Sequence, residues 1–525
     1  MVRRRVVAVR AGAIRTLDPE RPVVECLALR AGRVELAGSP EEVRSAIEGP
    51  VEWLDLRPFT VVPGLTDSHI HLIEWALGRL RPDLSDDRSM AEALARVERE
   101  ARAVPADAWL EFKGWDPAWR KQADLDRLDE ASGGRAVVLV AHDLHSGWLN
   151  SEAMRRLQIG AEREDPAGGV LERDAAGRPT GVLKERALDW YYQGRPQPTL
   201  AERKAAVREG QVLLHRLGVT AVHSVEAPES FRILDELERA GELQLRVLHH
   251  MPQRFLDSLV ECGISSGFGN DWLKVGGIKY FTDGALGSRT AWMLEPYSDG
   301  EGRGIRRLGP EELSRDVKRA VAGGLAATVH AIGDAAVRMT LDALERAGSR
   351  GLAIPHRIEH LQCVHPADLE RAARLGVVAS MQPSHLLTDI RAAEARWGPE
   401  RSRRTMALRS LLDAGTVLAF GSDAPVEPPD PREGFYGAIA RRDREGYPER
   451  GWHTEERLTG LEVLRAYTEG AAAAAGEGRR RGRLKAGFEA DLAAWDTDLV
   501  TAEPEALLSA RVMATVVGGE VVYRA

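Results

Sequence analysis

Two histidines two residues apart, His69 and His71, close the apolar run Val61-Val-Pro-Gly-Leu-Thr-Asp-Ser. On a β-strand that spacing points both imidazoles to one face, so two nitrogen donors can reach a single cation. Alone the pair is a weak signal, because histidines at this spacing also serve as packed or surface residues. Three later segments strengthen it: Thr328-Val-His330, Arg357-Ile-Glu-His360 and Phe420-Gly-Ser-Asp423 each place a donor at the end of a candidate strand. Nitrogen donors of intermediate softness plus one carboxylate oxygen, with a position left for water, are what a Zn²⁺-type catalytic site requires. Taken singly, each of these residues is more simply a hydrogen-bonded core or surface group. Five of them at strand exits in the right order form a pattern that chance does not explain.

Lys279 is the sixth candidate. Only eight of the 72 basic residues are lysines, and this one lies inside the apolar run Val275-Gly-Gly-Ile-Lys-Tyr-Phe. Burial disfavours an ammonium, and a neutral amine can add carbon dioxide to give a carbamate whose two oxygens bridge two cations. The alternative is an amine paired with a nearby carboxylate such as Asp283, and the residues alone leave both open. Lys274, at the other end of the same run, is the weaker candidate.

These residues need elements to hold them. Short apolar strands are expected near Val61 to His71, Val219 to Ser224, Leu245 to His250, Leu273 to Phe281, Ala326 to His330, Arg357 to His360, Val377 to Gln382 and Val417 to Asp423. Amphipathic helices alternate with them, such as Ala201 to Leu217 and Ala335 to Ala347, the latter with Val337, Leu341 and Leu344 on one face and Gly348 as a stop signal. Eight strands alternating with helices predict an α/β fold, a parallel (β/α)8 TIM barrel whose C-terminal strand ends carry the site. Residues 1–60 and 481–525 read as short strands punctuated by glycines, expected to complete one small β-sandwich beside a barrel over 61–480. The interval 73–200 is too long for a simple connection and holds six of the twelve tryptophans, so it reads as a large insertion after the first barrel strand, folded over the mouth.

Composition limits the function classes. With 43% hydrophobic and 29% charged residues the chain resembles a globular enzyme, and it has no run of about 18 apolar residues that would mark a membrane span. The net charge of -8 is spread along the chain, and the basic triplets at Arg3 and Arg479 lack the aromatic interleaving of a nucleic-acid surface. Neither nucleic acid nor membrane is an expected partner. Cys26, Cys262 and Cys363 show no CxxC spacing, and the apolar stretch after Met1-Val-Arg-Arg-Arg is too short for a secretory signal, so a reducing, cytoplasmic setting is expected.

Across nearly its whole length the sequence resembles the amidohydrolase superfamily, in particular its family 3 branch of YtcJ-like and N-substituted formamide deformylase-like metal-dependent hydrolases. The resemblance is carried by Pro63-Gly-Leu-Thr-Asp-Ser-His-Ile-His, His145-Ser-Gly-Trp-Leu-Asn-Ser, Asp165-Pro-Ala-Gly-Gly, Lys279-Tyr-Phe-Thr-Asp-Gly-Ala-Leu-Gly-Ser-Arg, His330-Ala-Ile-Gly-Asp, Arg357-Ile-Glu-His, Gln382-Pro-Ser-His, Gly421-Ser-Asp-Ala-Pro-Val and Gly487-Phe-Glu-Ala-Asp-Leu. It implies that His69, His71, His330, His360 and Asp423 are metal-site residues, with Lys279 carboxylated to bridge a second ion. One or two divalent ions, Zn²⁺ by donor type, are the implied cofactor.

The expected reaction is hydrolysis of an amide or formamide-like carbon–nitrogen bond in a small molecule by a metal-activated water, with Asp423 as general base. Trp115, His145 and Arg289 are candidate substrate contacts, each equally open to a structural role. A deaminase on the same barrel is the first rival, but it would need a glutamate three residues after His330, where Gly333 stands. An inactive binding barrel is the second. A homodimer is the expected assembly.

Overall fold

The computed structural model describes residues 6–47, 51–85, 87–115, 119, 124–141, 146–166 and 169–525. It divides into two compact units, one of Met1–Trp75 with Val207–Ala525, the other of Ala76–Ala206.

The first unit is built on eight parallel strands: Leu65–Ile70, Val219–Val225, Arg246–Pro252, Leu273–Phe281, Ala327–Ala331, Arg357–His360, Val378–Met381 and Leu418–Phe420. They neighbour one another in chain order, as a (β/α)8 barrel requires, and each overlaps one of the segments expected from the sequence. Val219–Val225 is buried at every position, which is why these strands read as continuous apolar runs rather than alternating ones. Helices cover the outside. In Asp334–Ala347, Val337, Leu341 and Leu344 are all buried, and Gly348 at φ 67° ends the helix.

The last strand meets the first at a seam of backbone hydrogen bonds. The Asp423 amide donates to the His69 carbonyl (2.7 Å) and the His71 amide to the Ala424 carbonyl (2.8 Å). Asp67, buried in the first strand, accepts from the Ser422 hydroxyl (2.5 Å) and amide (3.0 Å) and from the His69 amide (3.1 Å). Gly421 lies against the first strand, and a β-carbon there would overlap the His69 amide nitrogen and stand 3.0 Å from its α-carbon. The seam thus closes at the residues that the sequence marks as metal donors.

Strands from both ends of the chain join in one seven-stranded sheet. Its order is Glu520–Arg524, Val512–Val517, Leu492–Trp495, Val51–Pro63, Val6–Arg15, Val23–Arg30, Arg33–Gly38. N-terminal Val9, Leu27 and Leu54 share one core with C-terminal Leu492, Ala514 and Val516. The expected strand from Val61 to His71 is in fact two: Val61–Pro63 ends the long strand of this sheet, and the barrel strand begins at Leu65. Gly64 makes the crossing, its amide bonded to the Asp491 carbonyl (2.9 Å), where a β-carbon would overlap the Thr220 side chain.

The second unit holds a five-stranded sheet in the order Trp109–Trp115, Ala136–Ala141, Ser146–Leu149, Pro179–Glu185, Gly169–Arg173. Only its first pair is parallel. Phe112, Trp115, Leu128, Leu139 and Trp148 are buried together in its core. No helix among the described residues is long and apolar enough to cross a membrane.

Because the seam leaves no room for a side chain at Gly421, Gly421→Ala is expected to destabilise the protein by about 1–3 kcal/mol through overpacking. Urea unfolding would read this as a lower midpoint. An unchanged midpoint would mean that the two strands can part at no cost.

Candidate metal centre

Six side chains from five barrel strands converge at one end of the barrel. His69 lies within the first strand and His71 just beyond it; Lys279, His330 and His360 come from the fourth, fifth and sixth, and Asp423 follows the eighth. Asp423 Oδ1 is 3.2 Å from His69 Nε2 and 3.4 Å from His71 Nε2. His69, His360 and Asp423 each offer a ligand atom within 4.8 Å of the others, and all three are buried. The His330 and His360 ring centroids are 4.6 Å apart. Lys279 Nζ lies 4.8 Å from the centroid of Phe281, whose ring also packs on His330.

Hydrogen bonds on the far sides of the rings decide which nitrogen faces inward. A carbonyl only accepts, so His71 Nδ1 donates to Val225 O (2.6 Å), leaving its Nε2 lone pair toward Asp423. His330 Nε2 likewise donates to Gly284 O (3.0 Å), leaving Nδ1 as the ligand atom. His69 Nδ1 donates to the buried Glu359 carboxylate, which frees its Nε2. Of the six converging side chains, two have a buried atom with no hydrogen-bond partner among the described residues: His360 Nδ1 and Lys279 Nζ. Leaving such groups bare costs roughly 1–3 kcal/mol each, so converging nitrogen and carboxylate donors with unsatisfied members fit a divalent cation.

Burial and mutual charge set the protonation states. Burial pushes the Asp423 carboxyl up, but His69, His71 and His360 outweigh it and hold the group well below the usual carboxylate range. Burial and the neighbouring cations keep His360 neutral, and burial with Lys279 lowers His330 to about 3. Lys279 itself is brought down to about 8 by burial, against the pull of Glu359 and Asp423. Burial would lower His71 as well, but Asp423 and Glu226 outweigh it and raise the group, so His330 and His360 are the imidazoles held neutral, as cation binding requires.

Beneath the donors lies a polar layer that the sequence reading did not assign. Arg357 is fully buried and meets Glu359 Oε1 at 2.5 Å and His223 Nδ1 at 2.8 Å, and it also donates to the Ser68 carbonyl and the Ser380 hydroxyl. Burial alone would raise the Glu359 carboxyl, yet Arg357 and His69 hold it well below its ordinary value. The signal in sequence was Arg357-Ile-Glu359, two charges two residues apart in an apolar strand and hence on one face. His385, from the quoted Gln382-Pro-Ser-His run, also faces the centre, its Nε2 4.0 Å from Asp423 Oδ2.

The remaining candidates fall elsewhere. Asp283 accepts the amides of Trp292 (2.8 Å), Ile332 (3.1 Å) and Gly333 (2.8 Å), so its carboxylate serves the backbone instead of Lys279. Lys274 pairs with Glu477. Arg289 sits at φ 55° in the loop after the fourth strand, its side chain 54% exposed and paired with Asp299 at 2.7 Å. Trp115 is wholly buried in the core of the second unit, 6.0 Å from Trp148 between ring centroids. His145 lies outside the described residues.

The model of the amidohydrolase family (Amidohydro_3) matches residues 52–523. A Bacillus subtilis protein named as an amidohydrolase, YtcJ, is 30% identical over 98% of this chain and 98% of its own. The N-substituted formamide deformylase of Arthrobacter pascens is 29% identical over 97% of each. The crystal structure of a metal-dependent hydrolase from Pyrococcus horikoshii superimposes with a TM-score of 0.80 at 28% identity, covering 95% of this chain and 99% of that one. The fold, the order of donors along the barrel and these likenesses agree: the chain belongs to the amidohydrolase family of metal-dependent hydrolases.

Proposed function

We propose that this protein hydrolyses a carbon–nitrogen bond in a small amide-like molecule, with His69, His71, His330, His360 and Asp423 holding a divalent ion, Zn²⁺ by donor type. The observation that carries the reading is Asp423 Oδ1 standing 3.2 and 3.4 Å from the inward nitrogens of His69 and His71, in a cluster where His330 and His360 are kept neutral. A relative named for deformylating N-substituted formamides, 29% identical over 97% of the chain, supports the amide class. Such an ion supplies a water made acidic, with a pKa lowered from about 15.7 towards ~7, and polarises a carbonyl.

The chain's own residues then do the following. Asp423, ionised at neutral pH, accepts the proton of the attacking water and delivers it to the leaving nitrogen. Glu359 fixes the His69 ring so that Nε2 faces inward, and the Val225 carbonyl does the same for His71. Lys279, brought to about 8 by burial and lacking a hydrogen-bond partner among the described residues, is suited to carbamate formation and so to a second ion. The deaminase alternative is disfavoured by Gly333, where a β-carbon would overlap the Trp292 backbone, so no acidic side chain fits there. Unpaired Cys26, Cys262 and Cys363 accord with a reducing cytoplasm.

Replacing both His69 and His71 with alanine is expected to abolish bound metal, measured by elemental analysis; active wild-type protein free of metal would overturn the proposal. Lys279→Ala should lower metal content and recover part of it with short carboxylic acids. An unmodified amine in intact mass together with one ion per chain would leave a one-ion hydrolase. Asp423→Asn keeps shape and an oxygen ligand but has almost no basicity. It should retain the fold and much of the metal while turnover of an amide falls about 10²-fold to 10⁴-fold. Turnover near wild type in the metal-loaded variant would assign the proton to another group.

A further inference from the structure

The seventh barrel strand supplies none of the donors described above, yet the turn that follows it points an imidazole at them. His385 is 8% exposed, and its Nε2 is buried without a hydrogen-bond partner among the described residues. That nitrogen stands 4.0 Å from Asp423 Oδ2, too far for a hydrogen bond, and the His385 ring lies nearly parallel to that of His360, centroids 6.2 Å apart. Asp423 therefore has two distinct sides. Oδ1 faces the His69 and His71 nitrogens, and Oδ2 faces His385.

The His385 backbone is held on both sides. Its amide donates to the Gln382 carbonyl (3.0 Å), and its own carbonyl accepts the Thr388 hydroxyl (3.2 Å) at the start of the helix Leu386–Ser402. One helical turn on, the Asp389 carboxylate accepts the Gln362 side-chain amide (2.7 Å). A buried nitrogen that faces Asp423 and has no protein partner among the described residues leaves its lone pair open to a ligand atom. An atom about 3 Å from both Asp423 Oδ2 and His385 Nε2 would sit off the line between them, within hydrogen-bond reach of each.

We propose that His385 is a further catalytic residue, which accepts the N–H of the scissile amide at Nε2 and so holds the leaving nitrogen against Asp423 Oδ2. The inference rests on the amide-hydrolysis reading above. A neutral imidazole with its hydrogen on Nδ1 presents Nε2 as the acceptor. Holding the N–H there turns the nitrogen lone pair toward Asp423. The carbon–nitrogen bond breaks with its electron pair going to nitrogen, while the proton that Asp423 took from water is delivered to that nitrogen. His385 neither gains nor loses a proton. The expected consequence is selectivity for substrates that carry an N–H at the scissile position over esters and N-methylated amides, which cannot make this bond.

The test is His385→Ala and His385→Gln, each checked for metal content and thermal melting against wild type, on matched substrates: a secondary amide, its N-methyl form and its ester. Loss of an N–H-specific contact should lower kcat/KM of His385→Ala about 10-fold to 10²-fold on the secondary amide, in line with one hydrogen bond withheld, and leave the other two within about 3-fold. Glutamine, whose side-chain oxygen also accepts, should restore part of the loss. An equal fall on all three substrates, or a loss of metal, would overturn the proposal and make His385 a structural residue or a ligand. Binding is read separately by ligand-observed NMR with N-methylformamide and N,N-dimethylformamide on metal-loaded protein. Wild type should prefer the former, and His385→Ala should lose that preference. If wild type cleaves no amide, the hydrolase reading fails while this binding comparison still decides the contact; equal binding of the two formamides by wild type would refute it.

Discussion

The seam between the first and last barrel strands is the constraint on which the site depends. Asp423 is bonded through its amide to the His69 carbonyl, and His71 through its amide to the Ala424 carbonyl, so three donors are locked in register by backbone alone. Asp67 ties the same strands with bonds to Ser422 and the His69 amide. Burial raises the Asp67 carboxyl to about 6, but these donors pull against the shift. Closing the barrel and building the site are one event. The fold cannot relax at this seam without separating the carboxylate from its two imidazoles.

A second constraint is charge. Five histidines, Lys279 and Asp423 crowd one largely buried space, and such a group is stable only if its charges balance. Arg357 and Glu359 form a buried pair directly beneath it, and Glu359 extends that pair to His69. The arrangement fixes an anion behind one ligand ring and a cation behind the anion. It also brings the Arg357 cation close to His223 and His250, both of which burial and this guanidinium hold well below their usual value. Polar groups inside a barrel are tolerated on such terms: the guanidinium meets Glu359, the Ser68 carbonyl, the Ser380 hydroxyl and His223.

What was legible in the sequence follows from which interactions are local. The eight barrel strands were readable because strands covered on both faces are continuous apolar runs bounded by glycine, and their exits carried the donors in chain order. The strand proposed over Val61 to His71 was misjudged as one element because Pro63-Gly64 marks a change of sheet that apolarity does not register. Only the partner strands, Leu492–Trp495 on one side and Val219–Val225 on the other, reveal it. Arg357 and Glu359 were visible as residues but not as a layer, since His223 and His69, which they meet, lie on other strands more than a hundred positions away. Lys279 remained open between a carboxylate partner and a free amine until Asp283 was found bonded to three backbone amides. His385 was visible only as part of a motif, because a histidine on a turn has no signature until its distance to Asp423 is known.

The backbone at the donors carries a further sign of what the fold is built around. His360 and Asp423, neither of them glycine, adopt φ of 70° and 62°, and Leu361 follows at 43°. Each such residue costs on the order of 1–3 kcal/mol and persists only where its surroundings over-determine it. For Asp423 the surroundings are the seam bond to His69 and the flanking contacts of Ser422 with Asp67. For His360 and Leu361 they are the start of a turn whose next residues are bonded to distant backbone, Cys363 to Ile332 and Met406 to Gln362. A relaxed backbone at either place would turn the side chain away from the cluster. Strain thus falls on two candidate donors that leave their strands sharply to face one point, and the bonds that hold it come from the neighbouring strands that closure brings alongside.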